Sequence, residues 1–284
     1  MAMEFIGNQG GADNLSLIKV GFIDDVLKQG EWARVVDGKK DKNELMPFPR
    51  DRGTARVVTS AGDSDDIAPA FVLGSSGPKK RVDLGSGQWG SETPEISSYF
   101  KKGFVEQTIL PYARLIYPDA ADHLRHYFGN TGLDYRVNLQ RIVETTDAGR
   151  DFYLSQQNAA MNFASDNAVE GIPLSFSSQR MEQRRFSGDE NWMRASGTFS
   201  GWSNATVVRT GNSFSMNFDL HYFDPYNWNN GQEFTSFGVD VKDDFMAAFH
   251  KQGLAREFNL VGLLPLKITW QAGRQSDFLV KIRD

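Results

Sequence analysis

The chain has 284 residues, with 31 Lys and Arg against 36 Asp and Glu, a formal charge of −5, and no cysteine. The missing thiol excludes disulfides, thiolate zinc sites, iron–sulfur clusters and cysteine nucleophiles. The mild acidity argues against a dedicated nucleic-acid binder, which would present a basic face. Residues 1–11 (MAMEFIGNQGG) lack the basic and apolar regions of a signal peptide, and no run of about 18 apolar residues occurs, so neither a cleaved leader nor a transmembrane span is expected.

Nearly half of the 27 glycines fall in residues 1–90. Stretches such as Ser60 to Asp66 and Gly74 to Lys80 read there as turns. One amphipathic helix is predicted, with Leu15, Ile18, Phe22, Ile23, Val26 and Leu27 at helical spacing and Gly30 placed to end it. Val57-Val58 and Phe71-Val72-Leu73 read as short strands. This segment is expected to be an irregular layer on the body.

From Thr93 the pattern becomes helical. Thr93 and Pro94 form a cap-and-first-turn signal, and Ile96, Phe100, Phe104, Ile109, Leu110 and Ala113 follow, with Pro111 expected to bend or split the helix. Further helices are predicted over 119–128, 135–145 and 150–164. After Gly171 the period becomes two. Gly211-Asn212 supplies the turn between strands 205–210 and 213–223, and 266–270 pairs with 277–282 in a second hairpin. A helix over 243–253 interrupts them. The predicted class is α+β: an irregular N-terminal region (1–90), a helical lobe (91–170), and an antiparallel β lobe (171–284) with one inserted helix that carries the candidate site.

The densest candidate segment is Asp219-Leu-His-Tyr-Phe-Asp-Pro-Tyr-Asn-Trp-Asn-Asn-Gly231. Strand alternation places Asp219, His221 and Phe223 on one face and Leu220, Tyr222 and Asp224 on the other. Pro225 is expected to break the ladder, so that Asp224, Tyr226, Asn227 and Asn229 project from a strand end. Their oxygens are the hard ligands that Ca²⁺ or Mg²⁺ takes, though an Asx-rich turn explains the same residues. His250, near a helix C-terminus, is a candidate proton-transfer group or helix cap, and Arg256 is a candidate anion partner. Arg184 and Arg185 form a basic pair suited to a pyrophosphate, or to a solvated strand. His123 and His126 lie three apart on a helix without a third ligand, which is a surface-helix pattern more than a metal site. Gly85-Ser-Gly-Gln-Trp-Gly90 reads as a turn-rich loop. Asp189 and Glu190 are poor paired carboxylates if they lie on a strand, because adjacent strand residues face opposite ways.

Asn191-Trp-Met-Arg-Ala-Ser-Gly-Thr-Phe199, Phe223-Asp-Pro-Tyr-Asn-Trp-Asn-Asn-Gly231 and His250-Lys-Gln-Gly-Leu-Ala-Arg-Glu-Phe258 together resemble C-terminal toxin domains of bacterial polymorphic toxins. The resemblance covers about 191–262, with a weaker likeness at 122–132. Asp224-Pro-Tyr-Asn227 is also similar to the Asp-x-Tyr-Asp element of colicin M-type bacteriocins, which hydrolyse lipid II. The ordering of a helical and a β lobe looks like the LXG-type lipid II phosphatase toxins, which need a divalent cation. Asn227 stands where the second aspartate of the motif falls, and no His-Arg dipeptide follows closely. The motif thus carries over to Asp224 and Tyr226, while His250 and Arg256 are assigned by role.

The resemblance implies a secreted antibacterial effector, delivered without a signal peptide to a target periplasm, that hydrolyses the lipid–pyrophosphate linkage of lipid II. Asp224, Tyr226, His250 and Arg256 would be catalytic, Asp224, Asn227 and Asn229 would hold a divalent cation (Ca²⁺ or Mg²⁺), and Arg184 and Arg185 would bind substrate. An immunity protein and a secretion-system component are the expected protein partners. The competing expectations are a membrane-perturbing or pore-forming toxin, which the 21 Phe, 8 Tyr and 6 Trp suit, and a non-enzymatic secretion-system component.

Overall fold

Three long strands carry the sheet, and the sequence explains their length. In β5 (Thr198–Thr210) and β6 (Ser213–Tyr226) buried and half-exposed side chains alternate, and Gly211 takes the positive φ of 58° that the two-residue turn between them requires. β9 (Phe258–Gln271) pairs antiparallel with β6 from Ser213↔Gln271 to Tyr226↔Phe258, so the register holds over the whole strand. A computed structural model describes residues 69–80, 83–228, 233–236 and 239–283. Within them the chain is α+β. The helix expected over 15–27 and the strand at 57–58 lie outside the described residues.

Shorter strands share the outer edges of this trio. Along β5, β3 (Leu174–Ser178) covers 204–207 and β4 (Glu182–Arg185) covers 198–201. Along β9, β10 (Arg274–Ile282) covers 266–271, and the two-residue β2 (Tyr135–Arg136) pairs parallel with Leu260 and Val261. β1 (Phe71–Leu73) adds to β3, which gives the order β1-β3-β5-β6-β9-β10. All pairings but that of β2 are antiparallel. Pro225 does not break β6 as expected. It lies beyond Phe223, the last residue of β6 that pairs with β5 before β6 becomes an edge, and there a missing N–H is tolerated.

The chain divides into two units, each discontinuous in sequence, and their edges do not coincide with the boundaries at 90 and 170 read from the sequence. The sheet belongs to one unit, with α4 (Leu139–Thr145), α5 (Asp147–Asn167) and α6 (Glu190–Ala195). Thr146 caps α5 by accepting from the Gly149 N–H at 3.0 Å. Phe152, Tyr153, Ala160, Met161 and Ala164 on α5 are fully buried, as are Phe176, Phe199, Val207, Met216, Phe218 and Leu220 on the strands, at about 1.5–3 kcal/mol for each large apolar side chain. Gly201 is obligatory. A Cβ there would lie 2.1 Å from Cζ of Phe152. Asp189 caps α6 through the Trp192 N–H, so Asp189 and Glu190 begin a helix and do not lie on a strand.

The second unit holds α1 (Ile96–Phe104), α2 (Leu110–Ile116), α3 (Pro118–Phe128), α7 (Asp243–Lys251) and the hairpin of β7 (Glu233–Ser236) with β8 (Val239–Lys242). The interruption expected at Pro111 is a π-helical turn over Val105–Ile109, just before the proline in the first turn of α2. Val105, Leu110 and Ala113 are buried, whereas Ile96 and Phe100 are 78% and 75% exposed, so the early part of the predicted stripe faces water. Phe128 meets Phe249 edge to face at 5.3 Å, and the Tyr127 hydroxyl donates to the Met246 carbonyl at 2.7 Å.

Candidate functional site

Asp224 is the centre of the site in the sheet unit. Tyr222 and Asp224 stand two apart on β6 and so share a face. Ser196, just past the end of α6, meets both. Its Oγ donates to Asp224 Oδ2 at 2.6 Å and lies 2.7 Å from Tyr222 Oη. Burial raises the Asp224 carboxyl to about 8, the Ser196 hydrogen bond opposes the rise, and the negative charge of Asp83 adds to it. Asp224 therefore holds its proton at neutral pH. Burial, with the Asp224 charge nearby, also keeps the Tyr222 and Tyr226 phenols protonated well above their usual range. Tyr226 stacks on Phe258 at 4.7 Å, so it can donate a hydrogen bond but cannot act as a base near neutrality.

A second polar group forms in the helical unit, where the glycine loop of 85–90 meets the 250–257 segment. Glu257 accepts from the Ser86 N–H at 3.1 Å, from the Ser86 hydroxyl and from the Trp228 N–H at 2.9 Å. His250 is buried. Its Nδ1 accepts the Glu257 N–H at 3.1 Å and its Nε2 lies 3.1 Å from the Gly87 carbonyl, which makes it the neutral Nε2–H tautomer joining two loops. That arrangement is a clamp between loops, and the ring presents no free nitrogen to a substrate. Arg256 is exposed, with its guanidinium 4.8 Å above the Trp89 ring, and the Trp89 indole donates to Asn130 at 3.0 Å.

The predicted site residues therefore divide. Asp224 and Tyr226 lie in the sheet unit, with Arg184 and Arg185; Asn227, His250 and Arg256 lie in the other; Asn229 is outside the described residues. Arg184 is ion-paired with Glu182, and Arg185 is exposed. His123 is buried while His126 is half-exposed, so the two do not present a common face to water. Among the described residues, no three His, Asp or Glu side chains cluster in a way that would hold a metal ion.

Ser196 and Asp83 were not singled out from the sequence, whereas alternation already put Tyr222 on the face of Asp224. The available signal for Ser196 was local, a hydroxyl before Gly197 at the start of a strand, but its partner lies 28 residues away and only the register of β5 with β6 brings the two together.

The other face of β5 and β6 carries an independent polar chain. His221 Nε2–H donates to Asn204 Oδ1 at 2.6 Å, Asn204 donates to Asp219 at 3.3 Å, and Arg283 pairs with Asp219. Burial lowers the His221 pKa, opposed by Asp219 and reinforced by Lys80. Its ring stacks on Trp202 at 4.7 Å, which leaves it neutral and structural. No helix among the described residues is long and apolar enough to cross a membrane. No protein-family model, no curated protein and no solved structure matches the chain.

Proposed function

We propose that the protein is an antibacterial effector that hydrolyses the lipid–pyrophosphate linkage of lipid II in the periplasm of a target bacterium, opposed in its producer by an immunity protein. What supports this reading is the placement of the Asp224 carboxyl, which accepts from the Ser196 hydroxyl at 2.6 Å, and whose pKa burial raises to about 8 with the charge of Asp83 adding to the rise. A carboxylic acid with a pKa near the working pH is suited to protonate the oxygen that leaves as a phosphate ester breaks. Its proton passes to the leaving oxygen, the carboxylate keeps the electron pair, and water supplies the hydroxyl that completes hydrolysis. Tyr226 is assigned a hydrogen bond to the substrate through its protonated phenol.

A divalent cation is part of the proposal. Mg²⁺ is ordinarily held by one or two carboxylates together with substrate phosphate oxygens. The cation, shared between such a carboxylate and the substrate phosphate oxygens, would neutralise the pyrophosphate.

The reading is tested by expressing the wild type and Asp224→Asn with and without a periplasmic signal, and by incubating the purified proteins with lipid II and Mg²⁺. Lysis from the periplasm alone, with release of the lipid alcohol, is expected for the wild type and neither for the variant. Cytoplasmic killing, or undiminished cleavage by the variant, would overturn it. A second reading, a membrane-perturbing toxin, draws on the water-facing Ile96, Phe100 and Leu115. Dye release from protein-free liposomes by wild type and variant alike would favour it.

A further inference from the structure

We propose that β10 is a self-association edge, along which two copies of the chain join antiparallel about a two-fold axis that passes between their Leu279 residues. β10 ends the strand order, and among the described residues it pairs with β9 alone. Its outer backbone N–H and C=O groups therefore form an edge that a further strand can extend. Pairing with β9 is interrupted between Arg274 and Leu279, but from Leu279↔Thr269 to Ile282↔Leu266 the register is unbroken. Leu279 and Ile282 are 58% and 41% exposed, which leaves apolar surface at the edge for a neighbour to cover.

The charges decide which strand fits. Val208, Ser215, Thr269 and Leu279 form one cross-strand row. It lies on the side of the sheet away from Ser165 of α5, which the Trp270 indole meets at 3.3 Å. Asp277 lines a cavity of about 380 Å³ with Val208, Ser215 and Leu279, so it takes that side too, and Lys281 reaches it by alternation. Lys281 stands directly across from Lys267, a like-charged pair. Asp277 and Lys281 are both exposed, and among the described residues neither takes part in an ion pair.

An edge lysine repels an incoming strand, so the strand that fits must bring a carboxylate opposite it. β10 does this itself. With Leu279 facing Leu279 of the second copy, Asp277 of each copy lies opposite Lys281 of the other, and the symmetry makes the pair twice. Directly opposed residues share a face, so the axis moves only in whole-residue steps. Centred on Phe278, it sets Asp277 against Leu279 and Lys281 against Gln275, which leaves both charges unmatched. Centred on Val280, it sets Asp277 against Arg283, which Asp219 already holds.

The test is sedimentation equilibrium of the whole chain over a wide concentration range. The wild type should reach twice the chain mass of 31.8 kDa, and rising salt should weaken the association. Asp277→Lys and Lys281→Asp should each raise the dissociation constant about tenfold, because two cross-strand pairs turn from attractive to repulsive. Mixed in equal amounts, the two variants should associate as tightly as the wild type, since both charge pairs are complementary in the heterodimer. A wild type that stays monomeric at every concentration overturns the inference, and so does one whose edge takes only a strand of another protein. Dimers indifferent to the single substitutions, or not restored by mixing, overturn it as well. Should a charge reversal fail to fold, Asp277→Asn takes its place with a rise of about threefold expected, and an unchanged dissociation constant there refutes the pairing.

Discussion

Replacing Asp224 by asparagine should make the protein more stable. The folded state holds the Asp224 proton up to about pH 8, whereas an unfolded chain releases it near 3.8, so between these values folding takes up a proton and stability falls as pH rises. The interval corresponds to a ceiling of about 5–6 kcal/mol at 1.36 kcal/mol per unit. Asp224 is only partly shielded from water, which screens the charge once formed, and about 2–3 kcal/mol is expected to remain at pH 8. Asparagine keeps an oxygen for Ser196 and never ionises. Urea unfolding of both proteins, followed by tryptophan fluorescence from pH 4 to 9, should give equal stabilities near pH 4 and a gap in favour of Asp224→Asn that widens up to pH 8 and then levels. A gap independent of pH, or a more stable wild type at pH 8, would refute the placement of Asp224 in a desolvated site.

Three further outcomes are expected. If Asp224 is the proton donor, kcat/KM of the wild type on lipid II falls about tenfold per pH unit above 8, and Asp224→Asn releases no lipid alcohol at any pH of the series. Gly85→Ala places a Cβ 2.3 Å from Glu257 Oε2 at a φ of +52°, and should lower the urea midpoint by the equivalent of about 1–3 kcal/mol. Gln156→Leu removes the buried amide that accepts from Ser178 at 2.9 Å and Ser203 at 2.7 Å and donates to Glu182 at 2.7 Å. Stranding these groups should cost about 2–4 kcal/mol, measured the same way.

What could be read from the sequence was what local chemistry determines. Gly211-Asn212 announces its turn because positive φ is cheap there, and the two-residue alternation on either side follows the buried face. β9 was read only from 266, because Phe258 to Pro265 is apolar almost throughout and has no period, while Pro265 suggested a break. Pro265 instead sits where pairing with β10 ends, and its carbonyl accepts from the Arg283 N–H at 3.0 Å. Tyr135–Arg136 was read as the start of a helix because two residues are too few to display a strand period.

The site divided along the same line. Asp224 was legible through its segment and motif, but its raised pKa comes from burial, opposed by the Ser196 hydrogen bond and reinforced by Asp83, and only the fold supplies these. His250 was read by its place at a helix end; its Nδ1 is taken by the nearby Glu257 N–H, and its Nε2 by the Gly87 carbonyl from 163 residues away.

The pairing of Tyr226 with Phe258 has a consequence for folding order. Those two residues hold the ends of the intervening segment, 227–257, at the spacing of neighbouring strands. Joining the ends of a flexible loop that long costs about 3 kcal/mol of chain entropy, and zipping β6 to β9 settles that cost before the segment's own helix and hairpin have to form. A single proteolytic cut within 227–257 would undo this tether while leaving every side-chain contact in place. The loss would appear as slower refolding of the clipped protein more than as a change in the folded sheet.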